Sequence, residues 1–189
     1  ANITINGIQT YARFLVTLRL EELLEKRVRF IIKNQQYHRK GSPLDGAYLI
    51  YDNQEKRVYF DNLWSDHNAT RERLGMAILI ARYLQIKRDP QVRESLEKFI
   101  AFALREFVEE KTGEVYYTVG KKPGQTRLYN APWVALFFRE AYRALGDKRY
   151  LDISYNAMRG YYAGGGDNFY ANGVHPCALV QSWREAGMQ

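Results

Sequence analysis

The sequence predicts an all-α protein, an array of antiparallel helical hairpins with β-hairpin loops on one face. Three observations predict it. Asn68-Ala69 recurs as Asn130-Ala131, and Leu84-Gln85-Ile86-Lys87-Arg88 recurs as Leu145-Gly146-Asp147-Lys148-Arg149, so both ends of one segment return in step about 62 residues on. Self-similarity at a fixed period reports stacked supersecondary units. Second, Met76-Ala77-Ile78-Leu79-Ile80-Ala81 and Trp133-Val134-Ala135-Leu136-Phe137-Phe138 are apolar nearly all round, as helices buried on most sides are. Third, helices with a single apolar face alternate with these, which makes an inner and an outer layer.

The elements follow in order. Residues 8–33 read as an outer helix, with Leu20, Leu23, Leu24, Arg27, Val28 and Ile31 on the 3.6-residue period. Ala47 to Asp52 and Arg57 to Phe60, around a turn at Asn53-Gln54-Glu55-Lys56, read as a β-hairpin. Residues 68–86 are the first inner helix. Residues 91–110 are an outer helix, with Val92, Leu96, Phe99, Ile100, Ala103, Leu104 and Phe107 on one stripe and Arg93, Glu94, Glu97, Lys98, Arg105 and Glu106 opposite. Glu114 to Val119 and Gln125 to Tyr129 read as a second hairpin around Lys-Lys-Pro-Gly. Residues 130–145 are inner, 149–162 outer, and a third inner helix starts near Pro176 after a glycine-rich loop. Pro132 and Pro176 suit a helix's first turn, and Asp66, Asn68 and Asn130 suit N-caps. Outer-to-inner connections are long and the reverse ones short, so the elaborated end is the candidate functional face.

With 189 residues, 46% hydrophobic and 26% charged, residues 1–189 read as one helical-hairpin domain or part of one. No run approaches the ~18 apolar residues of a membrane span, and Ala1-Asn2-Ile3-Thr4 carries no signal pattern. The single cysteine, Cys177, excludes an internal disulfide and a cysteine-based zinc cluster. His175 and Cys177 have no further ligands nearby, so neither a metal nor a cofactor is expected. The net charge of +7 suits an anionic partner. Basic residues interleave with acids, as in Glu21-Glu22-Leu23-Leu24-Glu25-Lys26-Arg27, and no groove-reading motif appears, so the expected partner is an acidic glycan and no nucleic acid. Gly164-Gly165-Gly166 lacks the Lys-Ser/Thr of a phosphate loop and reads as a turn. Secreted or periplasmic placement is favoured over cytoplasmic.

The exit Phe30-Ile31-Ile32-Lys33-Asn34-Gln35-Gln36 and the helix entries Trp64-Ser65-Asp66-His67-Asn68 and Leu128-Tyr129-Asn130-Ala131-Pro132-Trp133 carry a family resemblance. With the inner and outer alternation, from Leu20 to the C-terminus, they resemble the (α/α) toroids of the six-hairpin glycosidase-like superfamily. The resemblance implies a ring of twelve helices of which this chain supplies about half, a partial (α/α)6-type toroid. Its flanks would then seek self-association or the missing remainder. Leu44-Asp45-Gly46-Ala47-Tyr48 resembles the acid-bearing Leu-Asp-Gly-x-Tyr stretch of unsaturated glucuronyl hydrolases, although there the Asp enters a helix and here a hairpin follows. The resemblance places the pocket where the inner helices begin, with their positive ends pointing into it.

Three segments would meet there: Trp64 to Asn68 with Arg71, Glu72 and Arg73; Arg127 to Asn130 with Trp133; and Asp167 to Tyr170 with Asn172 and His175. Aromatic platforms beside a few polar groups suit sugars, which makes Tyr48, Trp64, Arg71, Tyr129, Asn130, Trp133, Tyr170 and Asn172 the substrate-binding candidates. Glycoside hydrolysis needs two carboxyl groups. Asp66 comes first and Asp45 second, with Glu72 and Asp167 also open. A uronate lyase needs a His or Tyr base and an Arg or Asn beside the carboxylate, roles open to His67, His175, Tyr129, Arg71 and Asn130. Plainer readings stand beside these: Asp66 as a helix cap, His67 and His175 as loop residues, His38 as surface, Tyr129 and Trp133 as core. The expectation is a carbohydrate-active enzyme cleaving glycosidic bonds in uronate-containing glycans, hydrolysis ahead of elimination. The competing reading is a non-catalytic helical-repeat scaffold binding protein or glycan. Tetratricopeptide stacks repeat at ~34 residues, and the extra length here is loop, which favours a pocket.

Overall fold

The computed structural model describes residues 2–11, 13–59, 70–169 and 175–188, with Ile3, Arg71 and Glu72 by backbone alone. It is all-α in character. Helix α1 (Leu20–Phe30) runs on through a π-turn (Ile31–Gln35), and is followed by α2 (Thr70–Ile86), α3 (Pro90–Glu106), α4 (Ala131–Leu145), α5 (Arg149–Ala163) and α6 (Pro176–Glu185). Two small antiparallel hairpins accompany them, β1 (Asn2–Ile5) with β2 (Ile8–Tyr11), and β3 (Ile50–Asp52) with β4 (Arg57–Tyr59).

The layers follow from the apolar pattern. In α2, Leu74, Ala77, Ile80 and Ala81 are fully buried, and in α4 so are Val134, Ala135, Phe137, Phe138 and Ala141. Helix α4 packs against α2 and α6 on either side and against α5 behind it, so α2, α4 and α6 form the inner layer. The outer α3 buries Val92, Leu96, Phe99 and Ala103. Its solvent side carries the exposed (i, i+4) ion pairs Arg93–Glu97 and Lys98–Glu94, each worth a few tenths of a kcal/mol.

Local chemistry fixes the ends. Asp89 Oδ1 accepts from the Gln91 and Val92 amides at 3.0 and 3.1 Å and caps α3, while its other oxygen binds Arg29 of α1. Helix α4 stops at Gly146, whose φ of +81° suits a left-handed closure without a Cβ penalty. Between the layers, Gln36, Ser95 and Tyr48 form a buried polar cluster. Ser95 Oγ donates to Gln36 Oε1 at 2.7 Å, and Gln36 Nε2 donates to the Ser95 and Gly46 carbonyls. With its proton so committed, Ser95 Oγ accepts from the Tyr48 hydroxyl at 2.8 Å.

Three sequence expectations need correction. The helix placed at 8–33 begins at Leu20; residues 8–11 pair with 2–5 instead, because Asn6-Gly7 is a strong two-residue hairpin turn. The second hairpin reduces to the isolated bridge Tyr116↔Thr126, since the chain turns into a short 3₁₀ segment, Leu128–Asn130; Val115 pairs instead with Val108, just past the end of the preceding helix. Asn130 precedes α4 but its side chain makes no cap bond; it is drawn to the Tyr116 carbonyl.

Candidate functional site

The loop after α3 joins the beginnings of two inner helices. The Tyr116 carbonyl accepts from Thr70 Oγ1 at 2.8 Å and from Asn130 Nδ2 at 3.4 Å. The Tyr117 carbonyl accepts the Thr70 amide at 3.0 Å and its hydroxyl at 3.1 Å. Thr70 opens α2 and Asn130 precedes α4, so this strand of loop holds two helix N-termini at one end of the array. Their aligned dipoles make that end electropositive.

Arg127 adds a formal charge. Its guanidinium lies 5.2 Å from the ring centroid of Tyr117 and 5.5 Å from that of Tyr129, within the range of cation–π attraction. Asn130 is 1% exposed, and its buried Oδ1 has no hydrogen-bond partner among the described residues. The indole Nε1 of half-buried Trp133, in the first turn of α4, likewise has none among them. Arg73 of α2 is buried, with Nη1 3.4 Å from the Tyr48 carbonyl and the guanidinium 5.9 Å from the Phe102 centroid. Burial pushes its pKa down to about 10, so it stays charged at neutral pH.

The structure thus brings Tyr129, Asn130 and Trp133 to one place, with Arg127 beside them. It separates others. Tyr48 is fully buried, stacked on Phe99 at 4.7 Å and 9°, and burial pushes its phenol pKa up; its ring is core, out of a sugar's reach. Asp45 lies on the outer side of α3, where its carbonyl accepts from Arg105, in a concavity with His38, Lys40 and Lys98. It does not stand beside the inner-helix starts. His175 is exposed immediately before α6 and makes no cap bond, and Asp167 is exposed in the turns after α5. Trp64, Asp66, His67, Asn68, Tyr170 and Asn172, and the side chains of Arg71 and Glu72, lie outside the described residues.

Sequence reasoning passed over Tyr117 and Thr70. The signal was the pair Tyr116-Tyr117 before a turn, one of whose rings meets Arg127. A cavity of about 510 Å³ lies at the opposite end, between the short turns, lined by Leu84, Arg88, Pro90 and Leu145. Asp89 in its wall is already engaged by Arg29 and the α3 cap. A smaller cavity of about 200 Å³ lies at the loop end and shares Arg127. Among the described residues no group of three or more His, Cys, Asp and Glu is placed to hold a metal, and no helix is long and apolar enough to cross a membrane.

No protein-family profile matches the chain, and no curated protein does. A solved structure titled a polysaccharide lyase is similar to it, with a TM-score of 0.83 and 32% sequence identity. The likeness covers 95% of this chain and 27% of that one, so the chain spans about a quarter of that neighbour's length. The all-α hairpin array of this chain is therefore an architecture found within a polysaccharide lyase.

Proposed function

We propose that the chain is part of a carbohydrate-active enzyme whose loop end cleaves a uronate-containing polysaccharide by β-elimination. The likeness to a polysaccharide lyase at 32% identity along 95% of the chain carries this reading. It reverses the sequence preference for hydrolysis, which finds no support in that neighbour. The placement of Asp45 on the outer wall also weakens the carboxylate pair that hydrolysis would need.

Elimination removes the proton beside the uronate carboxyl group while that carboxylate's charge is held, then expels the glycosidic oxygen. Tyr129 is the candidate proton carrier: as phenolate it would take the proton, and the phenol so formed would return one to the departing glycosidic oxygen as the carbon–oxygen bond breaks. Arg127, with the N-termini of α2 and α4, supplies positive potential for the carboxylate and the enolate-like charge that develops on it. Asn130, buried and bonded to the Tyr116 carbonyl, would act by positioning this entry to α4, and Trp133 would be a flanking apolar surface. His67 and Arg71 remain candidates in the same roles. The six-hairpin toroid belongs to this proposal as well: residues 1–189 form part of one ring-shaped domain, with the glycan as substrate.

The test is to follow reducing-end release and the ultraviolet absorbance of a new unsaturated uronate together, over neutral and uronate polysaccharides. Both signals rising on uronate polymers alone is the expected result. Tyr129→Phe should then lower kcat by about 10²–10⁴ without shifting the melting temperature. Reducing ends without absorbance would establish hydrolysis and return attention to Asp66. Silence across the panel from a folded sample would favour the scaffold reading.

A further inference from the structure

The smaller loop-end cavity holds about 200 Å³, the space of about seven waters and the scale of one pyranose residue. It opens between the loop at 112–115, the segment 126–128 and the end of α5. Glycines create it. Gly160 and Gly164 face it, and a Cβ at 164 would come within 2.8 Å of the Leu128 side chain. Opposite, Gly113 lies so close to α5 that a Cβ would fall 2.1 Å from the Asn156 carbonyl, which fixes the loop wall against the helix. Tyr161 closes the back, its ring pressed against Gly166. The polar rim is Thr126, Glu114 and Arg127, and Arg127 is also the side chain that meets the Tyr117 and Tyr129 rings.

We infer that this cavity is an accessory subsite for an uncharged sugar residue of the chain bound at the loop end. Its ring would lie against the Tyr161 and Leu128 side chains of the wall. Thr126 and Glu114 are there to bond hydroxyls, and Arg127 is the wall shared with the reacting sugar. The charge preference comes from the rim's two opposite charges, Arg127 and Glu114, whose carboxylate accepts from the Tyr116 hydroxyl at 2.9 Å. A uronate there would lose to Glu114 what it gains from Arg127, whereas a neutral sugar's hydroxyls would find both an acceptor and a donor. The identity of the polymer rests on the function proposed above; the subsite itself rests on the cavity.

Ligand-observed NMR on the full chain, with methyl glucoside and methyl glucuronide as probes, tests it. Methyl glucoside should bind wild type and not be displaced by the glucuronide. Thr126→Phe, an exposed position whose strand pairing is through the backbone, should fill the cavity and weaken the glucoside about tenfold or more, leaving glucuronide binding alone. Glu114→Gln keeps an acceptor for Tyr116 and should admit a second glucuronide. Circular dichroism confirms folding of both variants. No glucoside binding by wild type, unchanged binding in Thr126→Phe, or full displacement by the glucuronide would each overturn the subsite. Failure of the catalytic reading is registered separately, as absence of turnover by wild type.

Discussion

Arg127 touches two tyrosine rings, and exposed cation–π contacts are worth about 0.5–1 kcal/mol each. Arg127→Ala should therefore lower the thermal midpoint by only a few degrees, while a charge role at the site would make turnover fall far more; parallel calorimetry and kinetics separate the two. Glu140 makes the opposite case, a buried carboxylate with a structural task. Burial alone would raise its pKa, but the bond from Gln85 and the charges of Arg82 and Arg139 overcome that and hold it below the ordinary carboxylate value. A depressed folded-state pKa contributes stability that is present above the unfolded value and lost as pH falls through the folded one. Urea midpoints measured against pH should show Glu140→Gln losing less stability on acidification below about pH 4 than wild type does. Glu140→Ala, which takes the carboxylate from the largely buried Arg139 while Arg82 stays half in water, should cost about 3 kcal/mol at neutral pH.

At the level of elements, the inner and outer helices were legible because each carries its own period and its own punctuation. Pro132, Pro176 and the Lys-Arg exits fall where the helices begin and end. The strand at 8–11 was not, because Ile8 and Tyr11 are consistent with the helical period that the downstream leucines extend, and only Asn6-Gly7 argued otherwise. The candidate site was legible in part for the same reason as the helices: Tyr129 and Asn130 stand at a repeated helix entry. Tyr48 misled because a buried ring and a sugar platform have the same composition around them; what separates them is Ser95, far along the chain, waiting to accept its hydroxyl. Close approach is a further feature no pattern reveals. Gly113 has a φ of +76° and lies against the backbone of α5, so Gly113→Ala should destabilise by at least about 2 kcal/mol, which denaturant unfolding would register.

Across the whole molecule, apolar side chains stay outside the core at the beginning of the described chain. Ile8 is 73%, Phe14 77%, Leu15 89% and Val16 92% exposed, an arrangement that invites association. Sedimentation should show concentration-dependent self-association of the isolated chain. Removal of residues 1–19 should suppress it while leaving the melting temperature within about 2 °C, since every side chain described there is exposed. The core beyond them has one more property, visible in the Gln36–Ser95–Tyr48 cluster. Ser154 reaches the Ala135 carbonyl across 19 residues of chain, whereas Gln36 reaches Ser95 across 59. Longer closures lose more chain entropy before any contact rewards them, so the α4–α5 contact should form ahead of the Gln36–Ser95 closure, and φ-values at Ser154 and Ser95 would check that order. During synthesis the segment around Gln36 precedes its partner by 59 residues, and its side chain waits for Ser95 until that stretch has been made.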